Sequence, residues 1–198
     1  GLDTDALLAR AALTRTLLAD PDYLLPVDQV RSLLEFTSTL PGAESFGLRL
    51  GTRRRLANLG TIGLVLREEP TALAALHTLC RYLQLITPSL YIAIDEHEDV
   101  TLIREDLVFA AGTQVRQSIE LALAVMSGIL SEVIDPGWRP QSVHFRHRAP
   151  ADLQYHRRIF RCPAHFNAEF NGVVCATADL LRELPNRDAQ LGRLVQAS

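Results

Sequence analysis

The sequence predicts an α+β fold, with a helix-rich N-terminal half packed on a small antiparallel sheet of hairpins with intervening helices. Apolar residues recur at helical spacing through most of residues 7–85. After Pro88 the spacing changes to two over residues 90–94, which is typical of strands. Asn171-Gly172 is the preferred pair for a tight turn between antiparallel strands.

The first half contains the predicted helices. The clearest begins at Pro70-Thr71, carries one stripe of Leu and Cys80 side chains, and ends before Pro88. Gly60 and Gly63 interrupt an earlier apolar segment and indicate a bend or close packing there. The other predicted segments of this half are a helix that ends at Asp20-Pro21, a helix from Pro26 to Pro41-Gly42, a short piece over 46–50, and the interrupted segment 56–66.

The second half alternates strands and helices. Residues 90–94 and the pair Val100 and Leu102 predict a hairpin around an acidic turn over 95–99. A long helix is predicted over 113–134, because its apolar residues share one face before Asp135-Pro136-Gly137 ends it. The remaining predicted elements are a strand over 141–147, a helix over 150–160, a hairpin around Asn171-Gly172 and a terminal helix after Pro185.

The last hairpin makes a specific prediction about register. A two-residue type I′ turn at Asn171-Gly172 pairs Phe170 with Val173 and Ala168 with Cys175. Cys162 then lies away from Cys175, so we expect no disulfide between them. The third cysteine, Cys80, lies on a helical core stripe, where we expect it to pack as a small hydrophobe.

Composition indicates one globular domain over residues 1–198, with 47% hydrophobic and 22% charged residues. The net charge of −3 argues against direct DNA binding, although Arg53-Arg54-Arg55 forms a local basic run. Three cysteines do not form an even disulfide framework, and no segment reaches the length of an uninterrupted membrane span. We therefore expect a cytoplasmic protein.

The sequence predicts no catalytic site and no metal site. There is no nucleophile elbow, no P-loop and no dinucleotide-binding glycine motif. His144 and His147 point to opposite faces of a strand, so they cannot chelate one ion. We expect His144 to be exposed and His147 to be half-buried. His77 is interpreted as a boundary histidine with a hydrogen-bond partner, and the alternative is a haem contact.

Arg116 and Glu120 form an i, i+4 pair on the long helix. Two interpretations remain open at this point, a solvated helix face and a polar anchor inside a pocket between helix and sheet. Arg81 and Tyr82, near the end of their helix, allow the same two interpretations.

The order and spacing of several short segments resemble the N-terminal regulatory region of AraC-type transcription regulators, in the branch that includes VirS-like proteins. The resemblance covers nearly the whole chain. The segments that carry it are Phe46-Gly47-Leu48-Arg49-Leu50-Gly51, Gly60-Thr61-Ile62-Gly63, Arg81-Tyr82-Leu83 followed by Pro88, Phe145-Arg146-His147 followed by Tyr155 and Phe160, His165-Phe166, Leu180, Leu184-Pro185 and Asp188.

The resemblance implies a domain that senses a small effector or mediates homodimerisation, and not an enzyme. DNA contact is then expected only through a C-terminal helix-turn-helix domain, which residues 1–198 do not include. The founding regulator senses its sugar with a cupin barrel, and this helix-rich sequence does not predict one, so arabinose is not carried over.

We expect a partly hydrophobic effector, and no cofactor, between the helix 70–85, the helix 113–134 and the sheet. The candidate polar contacts are Tyr82, Tyr91, Arg116 and Glu120. Two alternatives remain, a ligand-free dimerisation module and a haem or gas sensor that uses His77.

Overall fold

The computed structural model describes residues 3–20, 25–110 and 112–184, and it confirms the α+β class. These residues form nine α-helices, one 3-10 helix and one five-stranded sheet. The helices are α1 (Thr4–Arg10), α2 (Arg15–Ala19), α3 (Val27–Ser38), α4 (Phe46–Gly51), the 3-10 helix (Leu56–Leu59), α5 (Thr61–Glu68), α6 (Ala72–Ile86), α7 (Arg116–Ile134), α8 (Gln154–Phe160) and α9 (Thr177–Leu180). The strands are β1 (Leu90–Glu96), β2 (Val100–Leu107), β3 (Ser142–Phe145), β4 (Ala164–Phe166) and β5 (Gly172–Ala176).

The sheet is mixed and open, with the strand order β1-β2-β5-β3-β4. β1 and β2 form the predicted antiparallel hairpin, with Ile92 opposite Glu105 and Ile94 opposite Ile103. β5 pairs antiparallel with both β2 and β3, and β4 is added in parallel to β3. Because β1 and β4 are the two edges, the sheet does not close into a barrel.

The predicted hairpin around Asn171-Gly172 is wrong. β5 lies between β2 and β3, so Phe170 does not pair with Val173 and Ala168 does not pair with Cys175. Neither residue of the pair has the positive φ that a type I′ turn requires.

Asn171 and Gly172 instead stabilise the packing of β5 against its neighbours, Asn171 through its side-chain hydrogen bonds and Gly172 through its lack of a side chain. The Asn171 side chain accepts a hydrogen bond from the Arg146 N–H at 2.8 Å and donates one to Asp106 at 3.3 Å. A Cβ on Gly172 would overlap the Ile103 carbonyl oxygen, so glycine permits the close approach of β5 to β2. The loop therefore joins strands that are distant in sequence.

The face of β2 that is buried is not the face that carries Val100 and Leu102, the two apolar residues from which the strand was predicted. Val100 and Leu102 are only half-buried, whereas Thr101, Ile103 and Glu105 are buried. In an antiparallel pair, residues directly opposite each other share a face. Glu105 lies opposite Ile92, which is buried, so Glu105 also points into the interior.

Most predicted helices are confirmed, with local differences at their ends. The first predicted helix is two helices, α1 and α2, because Ala12 has a φ of +55°. Gly60, with a φ of +58°, separates the 3-10 helix from α5. Thr71 caps α6 by accepting from the N–H of Ala74 at 3.1 Å. The helix α9 was not predicted, and the helix predicted after Pro185 lies outside the described residues.

The helix α7 is the centre of the core. It packs on α3, α4, α6 and α8 and against the inner face of the sheet. A Cβ on Gly47 would overlap the Gln117 carbonyl oxygen, so α4 lies unusually close to α7. By length and composition α7 could cross a membrane, but 61% of its apolar stretch is buried inside the fold, as in the core helix of a globular domain.

Candidate functional site

A cavity of about 230 Å³ lies between α3, α6, α7 and the β1-β2 hairpin. This is the junction of two helices and a sheet at which the sequence predicted an effector site. Its walls are apolar, as expected for a small-molecule pocket, and its volume is slightly below the roughly 300–1,000 Å³ typical of ligand sites. The side chains that form most of the wall are Leu34, Leu79, Leu83, Ile92, Leu107, Leu121, Ala122, Val125, Met126 and Ile129.

Helical periodicity explains why α7 presents an apolar wall to the cavity. Leu121, Ala122, Val125 and Ile129 follow at intervals of one, three and four residues, which places them on one side of the helix. On α6, Leu79 and Leu83 are four residues apart and face the same space. The sequence of each helix therefore determines its own apolar face, and the packing of α6 and α7 brings the two faces together around the cavity.

Glu105 is an ionisable group in this apolar wall. Its side chain reaches the cavity from the inward face of β2 and is only 1% exposed. Neither carboxylate oxygen has a hydrogen-bond partner among the described residues. Burial raises the pKa of Glu105 from 4.5 to about 8, because the charged form loses its hydration. Sequence reasoning missed this residue, although the period-two pattern of β2 places it on the face of Ile103.

Arg31 is a second charged residue in the cavity wall, contributed by α3. Its guanidinium already has partners. Nη1 donates to the Gln114 carbonyl at 3.4 Å, Nη2 donates to the Ser32 hydroxyl at 3.2 Å, and the group lies 5.7 Å from the centre of the Phe109 ring. Arg31 therefore differs from Glu105, whose polar atoms have no partner in the described part of the chain.

The two predicted tyrosines do not line this cavity. Tyr82 lies near the end of α6 with 36% of its surface exposed, and Tyr91 lies on the edge strand β1 with 58% exposed. Arg81, which shared the two interpretations of Tyr82, is also exposed. Tyr82 and Tyr91 are not among the residues that line the apolar cavity, and a ligand role for them stays a prediction.

Arg116 and Glu120 come together as predicted, on a different side of α7 from the cavity. Arg116 Nε lies 3.0 Å from Glu120 Oε1, and the same oxygen lies 3.1 Å from His156 Nε2 and 3.5 Å from His147 Nε2. Glu120 is fully buried, so the interpretation of this pair as a solvated face is wrong. Arg116 lines a separate groove with Glu35 and His147, and its role in ligand binding stays a prediction.

The other histidines lie in ordinary packing environments. His147 is half-buried, as predicted, and burial lowers its pKa. His144 was expected to be exposed but is half-buried, because its ring stacks between His165 at 4.7 Å and Phe170 at 4.8 Å. Burial and the neighbouring His165 lower the pKa of His144. His77 Nε2 lies 3.0 Å from Glu96 Oε1, as expected for a boundary histidine with a partner.

The described residues contain no group of three or more His, Cys, Asp or Glu side chains arranged to hold a metal. All three cysteines are free thiols, and burial raises the pKa of Cys175 to about 12. The basic run Arg53-Arg54-Arg55 lines a separate, polar depression of about 540 Å³, together with Arg139 and Arg158. The apolar cavity is thus distinguished by its lining and by its unpartnered carboxyl.

Comparison with known proteins identifies the family. Residues 1–184 match the family described as the arabinose-binding domain of AraC transcription regulator, N-term. The chain belongs to this family. The AraC-type domain is therefore a ligand-binding regulatory domain rather than an enzyme, in agreement with the resemblance seen in its sequence.

The fold of the AraC-type domain is found in a solved structure. The crystal structure of transcriptional regulator CdpR from Pseudomonas aeruginosa superposes with a TM-score of 0.72 at 19% sequence identity. The match covers 97% of this chain and 59% of that chain, so the AraC-type domain spans about three fifths of the regulator's length. No curated protein sequence matches the chain.

Proposed function

We propose that the AraC-type domain binds a small, partly hydrophobic effector in the cavity between α3, α6, α7 and the β1-β2 hairpin. The observation that carries the proposal is the apolar cavity itself, with one buried and unpartnered carboxyl, Glu105, in its wall. An apolar pocket with a single polar group is the usual form of a small-molecule site. The ligand would gain hydrophobic contacts from two helices and a sheet at once.

The contacts of α6 suggest how binding could reach the end of the domain. Leu79 and Leu83 of α6 face the cavity. At the other end of this helix, the Leu184 N–H donates to the Pro70 carbonyl at 3.1 Å, and Thr71 forms a bridge with Glu183. A ligand that favours one position of α6 would therefore bias the segment that follows residue 184. Such coupling requires that the two positions of α6 differ in ligand affinity.

The attached partner in this proposal is a helix-turn-helix DNA-binding domain that acts in the cytoplasm. The net charge of −3 supports the division of labour, because this domain lacks the overall basic surface of a DNA-binding protein. Exposed apolar side chains, including Leu85 at 80% and Val108, are compatible with the expected homodimer. Light scattering on the purified chain measures its mass in solution, and a homodimer should give twice the monomer mass.

The effector site is tested with hexanol, a small neutral probe with an apolar chain. We expect hexanol to raise the melting temperature of the protein. Ala122→Phe should remove this response, because the larger side chain fills the cavity from α7. Ala178→Phe is the matched control, since Ala178 is exposed on α9, and it should respond like the parent protein.

An equal response of Ala122→Phe and the parent protein would contradict the proposed site. A stable dimer that binds no probe would instead support the alternative of a ligand-free dimerisation module. The haem alternative predicts a Soret band that is lost in His77→Ala. The exposed hydrogen bond between His77 and Glu96 gives this alternative no support.

A further inference from the structure

We propose that the cavity selects effectors that carry a cationic amine on an apolar body, with the Glu105 carboxylate as the group that receives the amine. This inference rests on the proposed effector site and specifies the ligand class. Glu105 lines the cavity, is almost completely buried, and has two carboxylate oxygens without hydrogen-bond partners in the described residues.

The fold satisfies the other buried polar group on the same face of β2. Thr101, four residues earlier, lies 2.9 Å from the Thr177 hydroxyl and is fully buried. The backbone N–H of Glu105 is also paired, because it donates to the Asn171 carbonyl at 2.9 Å. The carboxyl group is left without a partner in the described part of the chain, and Glu105 is one of the residues that line the cavity.

A buried polar group without a partner costs stability, so its presence calls for an explanation, and a bound ligand is one. Among the described residues, no protein cation pairs with the Glu105 carboxyl. Burial alone accounts for the raised pKa of Glu105, with no contribution from a nearby positive charge. Arg31, the cation in the cavity wall, is engaged by Gln114 and Ser32. Cys80 on α6 is close enough to sense the Glu105 charge, but its thiol is neutral, since burial raises its pKa as well.

An amine is complementary to the Glu105 carboxylate in hydrogen bonding and in charge. An ammonium group has three donors, so it can satisfy both carboxylate oxygens, and charge-assisted hydrogen bonds are about twice as strong as neutral ones. The rest of the wall is apolar, mainly from Leu79, Leu83, Val125 and Ile129, and would bury an alkyl or aromatic chain. An anionic ligand would be disfavoured, because it would bury its own charge in this apolar wall without an opposite charge to pair with it.

The pairing has a proton signature. With a pKa of about 8, Glu105 is mostly protonated at neutral pH before a ligand binds. An ammonium ion stabilises the carboxylate, so its binding must release the carboxyl proton to the buffer. A neutral alcohol in the same cavity leaves the carboxyl protonated and releases no proton.

The experiment is isothermal titration calorimetry with hexylamine, hexanol and hexanoate, three probes with the same chain and different head groups. The proteins are the parent, Glu105→Gln, Ala122→Phe and the surface control Glu98→Gln. We expect hexylamine to bind the parent most tightly, and its affinity to fall about tenfold or more in Glu105→Gln. Hexanol affinity should be nearly unchanged in that variant. Titrations of hexylamine in two buffers with different heats of ionisation should show proton release in the parent and none in Glu105→Gln.

The outcomes separate this inference from the proposed site. If hexylamine and hexanol bind equally, respond alike to Glu105→Gln and both lose binding in Ala122→Phe, the site stands and the amine class is overturned. If no probe binds the parent, or if Ala122→Phe binds all three normally, the effector site itself is overturned and this inference with it. Unchanged circular dichroism of Glu105→Gln confirms that a loss of hexylamine affinity does not come from unfolding.

Discussion

Glu120 Oε1 and His156 Nε2 lie 3.1 Å apart, and neither side chain has any exposed surface. The same Glu120 oxygen receives Arg116 Nε at 3.0 Å. The pair connects the central helix α7 to α8 through a charge that packing removes from water. Such a charge depends on its partners, since a buried ion without them is strongly unfavourable.

We predict that Glu120→Ala lowers the free energy of unfolding by about 3–5 kcal/mol, because Arg116 and His156 lose their common partner inside the fold. Urea denaturation followed by circular dichroism measures this change. Glu98→Ala, in the exposed β1-β2 turn, is the control and should change the free energy by no more than about 0.5 kcal/mol. Equal effects of the two variants would contradict a structural role for Glu120.

The protonation of Glu105 predicts how stability depends on pH. Folding raises the pKa of this group from 4.5 to about 8, so between these values the native state holds a proton that the unfolded chain has released. The free energy of unfolding therefore falls as pH rises through this window, at up to about 1.4 kcal/mol per pH unit from this group alone. The stability that Glu105 contributes through its bound proton is fully present below pH 4.5 and is lost as the pH rises to about 8.

Glu105→Gln isolates this effect, because the other titrating groups remain in both proteins. Denaturant melts at pH values from 5 to 9 should show the variant gaining stability relative to the parent as the pH rises. Glu98→Gln should follow the parent throughout. Parallel curves for the parent and Glu105→Gln would show that this carboxyl is not buried without a partner.

Two glycines on facing helices should respond to alanine in opposite directions. Gly47→Ala places a Cβ against the Gln117 backbone carbonyl, so we expect a loss of about 1–3 kcal/mol in the free energy of unfolding. Gly128→Ala meets no atom within 4 Å in the interior of α7, and should raise it by about 0.5–1 kcal/mol through helix propensity. Thermal denaturation measures both changes. If Gly128→Ala were as destabilising as Gly47→Ala, the loss in Gly47→Ala could not be attributed to the close contact between α4 and α7.

The loop before β5 allows a direct test of the corrected sheet. In a type I′ turn Asn171→Gly would be tolerated, since glycine favours that conformation. In the observed fold this substitution removes the acceptor for the Arg146 N–H, and we expect a loss of about 1–3 kcal/mol in urea titrations. Asn167→Gly is the matched control. Its φ of +53° suits glycine, so the change should stay within about 0.5 kcal/mol.

The sequence by itself was sufficient for most of the helices, the first hairpin and the family. The spacing of apolar residues in α6 and α7 and the cap at Thr71 are local signals, because each depends on neighbours within one or two turns. The effector site predicted between those two helices and the sheet falls where the structure has an apolar cavity, and its role in ligand binding stays a prediction. The family resemblance depended on the order of short segments along the chain and was confirmed over residues 1–184.

Tertiary structure decided the sheet order and which acidic side chain lines the cavity. Asn171-Gly172 has the composition of a tight turn, yet β5 pairs with β2, about 70 residues earlier in the chain, because Gly172 permits close contact with Ile103. Tyr82, Tyr91, Arg116 and Glu120 were chosen as polar side chains near the predicted pocket, whereas Glu105 reaches the cavity. Local periodicity sets which way a side chain points from its own element. What covers it, and whether it finds a partner, depends on segments that arrive from elsewhere in the chain.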